Sequence, residues 1–150
     1  MQERKTDIYI GIDTGTHTGV AVWDSEEQAF SELQTLALHK ALRRVLEIYE
    51  GGKNAGRTVK VIFEDARQRK WIPNSGDPRK EAGRRQGAGS VKRDASIWEE
   101  FLRDEGIPYE ALAPRKGATK MEQSLFYAIT GWDKRTSNHA RDAAMLVIGR

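Results

Sequence analysis

The sequence predicts a single α/β domain built on a mixed five-stranded sheet with helices packed on both faces. Two short runs, Ile8 to Asp13 and Val59 to Glu64, are dense in β-branched and aromatic residues and end on a carboxylate. Two longer stretches instead repeat their apolar residues every three or four positions, as an amphipathic helix does. The resulting order, βββαβαβαα, runs from end to end with no internal repeat and no linker, and 150 residues suffice for one core.

Ile8, Ile10 and Ile12 alternate with Tyr9, Gly11 and Asp13, and a turn rich in Thr and Gly leads to a second strand, Gly19 to Asp24. A third strand is expected over Gln28 to Thr35. Leu38, Leu42, Val45, Leu46 and Tyr49 then recur at helical spacing, with Gly51-Gly52 as the expected stop. Val59 to Glu64 is apolar on both faces, which suits a strand covered from both sides. Arg67 to Arg85, with Trp71, Pro73, Gly76 and Pro78, has no sustained period and reads as a long loop. Val91, Ala95, Trp98 and Leu102 mark a helix from about Gly87 to Glu105, which Gly106 ends before a strand over Ile107 to Leu112. Two more helices are expected, from Ala118 to Ile129 and from about Asn138 to Ile148, the second capped by Ser137 or Asn138.

The net charge of +3 is small, so its distribution matters more than its sum. Between Arg67 and Arg85 seven basic residues (Arg67, Arg69, Lys70, Arg79, Lys80, Arg84, Arg85) face two acidic ones. The chain has no cysteine, which removes disulfides and thiolate metal sites and suits a reducing cytoplasm. No apolar run approaches the ~20 residues of a membrane span. A soluble, cytoplasmic protein is expected.

Asp13 and Glu64 each close a strand, and His139 and Asp142, three apart, share one face of the last helix at its first turn. Carboxylates gathered closely repel one another unless protonated or joined by a cation, so such a cluster suits Mg²⁺ or Mn²⁺ and points to phosphodiester chemistry. Glu64 and Asp65 point to opposite faces of a strand, so only one serves such a site. Glu64 continues the strand register, and Asp65 is expected either to orient the outgoing loop or to support the ligating residues from behind. The basic segment beginning at Arg67 would gather phosphate beside that site, with Trp71 available to stack on an unpaired base. The blander reading is a solvated charge run with Trp71 in the core.

Asp13 within Ile-Gly-Ile-Asp-Thr-Gly-Thr-His-Thr-Gly, Glu64 after Val-Ile-Phe, and His139-Ala-Arg-Asp142-Ala-Ala together resemble the RuvC-like Holliday junction resolvases of the RNase H-like superfamily. Gly87-Ala88-Gly89, Gly106-Ile107-Pro108 and Pro114 to Lys116 extend the resemblance over most of the chain. It implies one RNase H-like nuclease domain over residues 1–150, with Asp13, Glu64, His139 and Asp142 as catalytic and metal-binding residues. It further implies two Mg²⁺ ions about 4 Å apart, replaceable by Mn²⁺, and hydrolysis to a 5′-phosphate and a 3′-hydroxyl. The implied partner is branched DNA, bound by Arg67, Arg69, Lys70, Trp71, Arg79, Lys80, Arg84, Arg85, Lys116 and Lys120. Paired cuts across a two-fold junction imply a homodimer, with the helix face near Val91, Ile97, Trp98 and Phe101 as the candidate interface, although core packing explains much of that face equally well. The long basic segment and Asp65 depart from the family pattern and suggest a phage-type or divergent member that also accepts Y-shaped, flapped or three-way DNA.

Three other readings remain open. The first motif also opens actin-like ATPases, although those clamp nucleotide between two domains and this chain has room for one. An RNase H-type nuclease acting on RNA–DNA hybrids would use the same fold. A junction-binding protein without catalysis is the third.

Overall fold

A computed structural model describes residues 4–69, 76–114 and 121–150, with the side chain of Arg84 outside that description. Its strands are β1 (Ile8–Asp13), β2 (His17–Asp24), β3 (Ala29–Ala37), β4 (Val59–Glu64) and β5 (Tyr109–Leu112). Its helices are α1 (Leu38–Asn54), α2 (Pro78–Asp104), α3 (Gln123–Thr130) and α4 (Asn138–Met145), with a 3₁₀ turn at Ala66–Gln68. The strands form one sheet in the order β3-β2-β1-β4-β5, the β1–β4 and β4–β5 pairs parallel and the others antiparallel. The predicted mixed five-stranded sheet is therefore the observed one.

Alternation along the strands divides the core in two. Ile10, Ile12, Val20, Val22, Val61 and Phe63 face one way and pack with Ala41 and Val45 of α1 and Ala95, Trp98 and Leu102 of α2. Ala21, Trp23 and Ile62 face the other way and meet Phe126 of α3 with Ala143, Ala144 and Val147 at α4. Each face of the sheet thus has its own helical cover, as the apolar pattern of β4 requires.

The boundaries depart from the sequence expectation where local signals compete. Helix α1 runs through Gly51-Gly52, because Gly52 is needed small against Val59, and the chain turns only at Gly56, whose φ is +72°. Gln28 is a turn residue with φ +53°, its side-chain amide donating to the carbonyls of Ser25 (2.8 Å) and Arg150 (3.0 Å), and β3 starts after it. The largest difference lies in the basic segment. Rather than a loop to Arg85, residues 78 onward are helical, started by the Asp77 carboxylate accepting from the Arg79 N–H (3.0 Å) and by Pro78 in the first turn. No sustained apolar period marks residues 78–86, because this part of the helix buries no side chain among the described ones.

Trp98 is fully buried and Phe101 packs edge-on against it, with ring centroids 6.1 Å apart. Trp98 therefore belongs to the core, not to a subunit interface. Among the described residues no helix is long and apolar enough to cross a membrane.

Candidate active site

Asp13 and Glu64 come together through strand pairing. β1 and β4 are parallel neighbours whose last matched pair is Ile12 and Phe63, so the following residue of each strand emerges at the same sheet end. Alternation turns both toward the α4 face, the face of Gly11 and Ile62. Thr14 Oγ1 donates to the Glu64 carbonyl at 3.4 Å and ties the two strand ends beyond the ladder.

Helix α4 brings the other two residues. Its start is set by Ser137, whose hydroxyl accepts from the Ala140 N–H at 3.1 Å and is itself hydrogen-bonded to Thr35 of β3. Buried Arg141 then anchors the helix to its approaching chain, donating to the carbonyls of Met121 (2.8 Å) and Thr136 (2.6 Å) and to the Thr136 hydroxyl (2.9 Å). The helix lies directly on bare backbone. A Cβ at Gly11 would collide with the Ala143 carbonyl oxygen, and a Cβ at Gly19 with the carbonyl oxygen of His139. Only glycine on both strands lets α4 come this close.

In this position His139 Nδ1 stands 3.0 Å from Asp13 Oδ2, a hydrogen bond when Nδ1 carries the proton. The imidazole is half exposed while the Asp13 side chain is 22% exposed, so the ring covers the carboxylate and still meets solvent. Burial pushes the Glu64 carboxyl above its ordinary pKa, and the charges of Asp13 and Asp142 push it further, with Arg69 opposing. The charges of Asp13 and Asp142 are therefore felt at Glu64. His17, at the start of β2, adds a second imidazole, its ring centroid 6.4 Å from that of His139. Sequence reasoning passed over His17, although the register pairing Asp13 with Gly19 puts the start of β2 beside Asp13.

The donor set, three carboxylates and an imidazole, is the kind that hard divalent cations take. Its arrangement is open. Among the described residues no three His, Asp or Glu groups converge closely enough to hold a metal ion, so the structure does not gather Asp13, Glu64, His139 and Asp142 into a closed ligand set.

Asp65 turns to the opposite face and is only 3% exposed. It accepts from the Arg67 backbone N–H (3.0 Å), from Arg67 Nε (2.8 Å) and from Arg67 Nη2 (2.9 Å). Arg67 also pairs with Glu99 of α2 at 3.3 Å, and the Glu99 carboxylate accepts from the Tyr109 hydroxyl of β5 (3.0 Å). Arg67, a candidate DNA contact by sequence, is thus engaged in holding the β4 exit to α2 and β5. Arg67→Ala is expected to cost about 2–3 kcal/mol of stability, measured by urea unfolding, because it removes the charge partner of a buried carboxylate and leaves it the backbone N–H of residue 67 and the Gln68 amide as donors. The loss should be pH-dependent. Hydrogen bonds from Arg67 hold the Asp65 pKa below its ordinary value, so their stabilisation is present above the unfolded pKa and disappears as pH falls through the folded one. A variant as stable as wild type at pH 7 would show the pair to be dispensable.

Of the other basic candidates, Arg69 is exposed beside Glu64, and Arg79, Lys80 and Arg85 are exposed on the first half of α2. Arg84 lies on the same half-helix, and Lys70, Trp71, Lys116 and Lys120 fall outside the described residues.

No protein-family model matches the chain, and no curated protein matches it. Solved structures do. Thermus thermophilus RuvC in complex with a Holliday junction substrate aligns over 95% of this chain and 91% of its own, with a TM-score of 0.63 and 17% identity. A second Thermus thermophilus RuvC structure aligns over 95% and 92%, with a TM-score of 0.53 and 19% identity. At this level of identity the likeness concerns the fold, which is the RNase H-like fold of RuvC.

Proposed function

We propose that this chain is a divalent-metal-dependent endonuclease that cuts branched DNA of the Holliday junction type. The observation that carries the reading is the meeting of Asp13 and Glu64 at one end of the sheet beside the first turn of α4, where His139 Nδ1 stands 3.0 Å from Asp13 Oδ2. A fold shared with a protein solved on a Holliday junction supports the choice of substrate. Bound Mg²⁺ or Mn²⁺, two ions per site, would supply charge stabilisation for the phosphate and acidify a water. The chain's own groups would do the rest. Asp13, Glu64 and Asp142 would provide oxygen ligands. His139, held by Asp13 and open to solvent, would orient the phosphate or the water. Arg69 would draw a phosphate toward Glu64. Hydrolysis would add the water oxygen to phosphorus and break its bond to the 3′-oxygen, leaving a 5′-phosphate and a 3′-hydroxyl.

A four-way junction has two equivalent strands to cut, which favours a homodimer acting as a pair. The test is cleavage of a labelled immobile four-way junction, a linear duplex and an RNA–DNA hybrid, each with Mg²⁺, Mn²⁺ or EDTA. Symmetric metal-dependent nicking of the junction alone is the expected result. Cutting confined to the hybrid would replace the proposal with an RNase H-type activity, and tight junction binding without cutting in either metal would reduce the protein to a binding module.

A further inference from the structure

Two imidazoles stand at the mouth of the site, and the proposed reaction gives work to only one. On β2, Val20 and Val22 turn toward α1 and α2, and Thr18, in the same alternation, is fully buried with its hydroxyl donating to the Gly15 carbonyl at 2.8 Å. His17 therefore turns the other way, to the α4 side, with Gly19, Ala21 and Trp23. Gly19 lies against the backbone of His139, so His17, one step nearer the strand end on that face, emerges beside the first turn of α4. It is exposed, its ring centroid is 6.4 Å from that of His139, and among the described residues it makes no hydrogen bond or ion pair.

The two rings are placed for different tasks. When His139 Nδ1 donates to Asp13, its Nε2 is left as an acceptor, which can take a hydrogen bond from water but cannot donate one to a phosphate oxygen. His17 has no carboxylate to satisfy and is free to present an N–H. A centroid separation of 6.4 Å is too long for the rings to bond one another and leaves room for a phosphate group between them. The surroundings of His17 favour an anion. It pairs with Ala37, and α1 starts at the next residue with no acid in its first turn and with Lys40 and Arg43 exposed. Asp13 and Glu64 thus stand on the flank where cations would bind, and His17 with the basic start of α1 on the other.

We propose that His17 is a catalytic residue that donates a hydrogen bond to a non-bridging oxygen of the scissile phosphate, while His139 holds the attacking water. The proton stays on His17 throughout, and the bond strengthens as negative charge grows on the phosphate oxygens in the transition state. This inference rests on the nuclease reading and adds which side chain of the protein meets the reacting phosphate.

The test is single-turnover cutting of the labelled four-way junction in saturating Mg²⁺ by wild type, His17→Ala and His17→Gln. His17→Ala should cut about tenfold or more slowly with the junction fully bound, its Mg²⁺ requirement and melting temperature unchanged. His17→Gln keeps an N–H donor and should recover most of that loss. Sulfur in place of one non-bridging oxygen of the scissile phosphate should slow the wild type in one of the two diastereomers, and this penalty should largely vanish in His17→Ala, where that oxygen has already lost its partner. A merely structural role would leave the penalty intact and would overturn the inference, as would cutting by His17→Ala at the wild-type rate. A raised Mg²⁺ requirement in His17→Ala would overturn it in favour of a metal ligand. A wild type that cuts no junction in any metal would defeat the nuclease proposal and this inference with it, whereas a cutting wild type matched by His17→Ala would defeat this inference alone.

Discussion

Glu64→Gln is expected to reduce junction cutting by about a thousandfold or more while making the metal-free protein more stable. The two effects share a cause. Glu64 is half-buried, and the charges of Asp13 and Asp142 add to the cost of ionising it. Its pKa is therefore raised in the folded state, and the native protein holds that proton more tightly than the unfolded chain does. The stabilisation is fully present below the unfolded pKa and is lost as pH rises through the window up to the folded pKa, so at neutral pH the ionised carboxylate is a liability. Glutamine keeps the shape and removes the charge. A gain on the order of 1 kcal/mol is typical of a relieved functional site, or about 2–4 °C in melting temperature for a chain of this size. Calorimetry in EDTA at pH 5 and pH 8 checks this, with the larger difference between the two proteins expected at pH 8. Adding Mg²⁺ should raise the wild-type melting temperature more than that of the variant, because the cation binds the ionised folded state. A Gln variant that is less stable in EDTA, or that cuts at the wild-type rate, would remove Glu64 from the proposed site.

The carboxylates were legible in the sequence for a definite reason. Strand alternation is a local property, and a strand that ends on Asp13 or Glu64 fixes the face on which that residue lies once the apolar face is known. The same reasoning set Asp65 aside from the site, and it lies on the opposite face against Arg67. The Ser137 cap of α4 was legible because capping depends on a few adjacent residues. What escaped was set by contacts between distant segments. Nothing near Arg67 in sequence announces Glu99 as its partner. Residues 78–86 carry no sustained apolar period and follow Trp71, Pro73 and Gly76, which suggests a loop, although Asp77-Pro78 is a recognisable helix start. Gly11 and Gly19 looked like ordinary strand glycines, and only the close approach of α4 gives them their role.

Those two glycines make separable predictions. A methyl group at Gly11 would meet the Ala143 carbonyl oxygen and, at 3.3 Å, Val147 Cγ1, in the middle of a buried contact between helix and sheet. With nowhere to move, Gly11→Ala should cost about 3 kcal/mol or more and expose the second core. At Gly19 the collision is with the backbone of His139, and the Ala140 nitrogen lies 3.1 Å away, in the first turn of α4. That turn borders solvent and is held chiefly by the Ser137 cap and the Arg141 anchor, so it can lift. Lifting relieves the clash but carries His139 away from Asp13 and moves Asp142 with it. A displacement of about 1 Å at a catalytic group costs on the order of a hundredfold in rate, so Gly19→Ala should lose more activity than its modest loss of stability explains. Gly51→Ala is the control, because no described residue lies within 4 Å of its Cβ position in α1, and it should leave cutting unchanged while adding about 0.5–1 kcal/mol of stability. The measurements are urea unfolding and single-turnover cleavage of the same three variants. If Gly19→Ala cuts at the wild-type rate, the seating of α4 on bare backbone does not position the site, and His139 owes its place to something other than the missing side chain at Gly19.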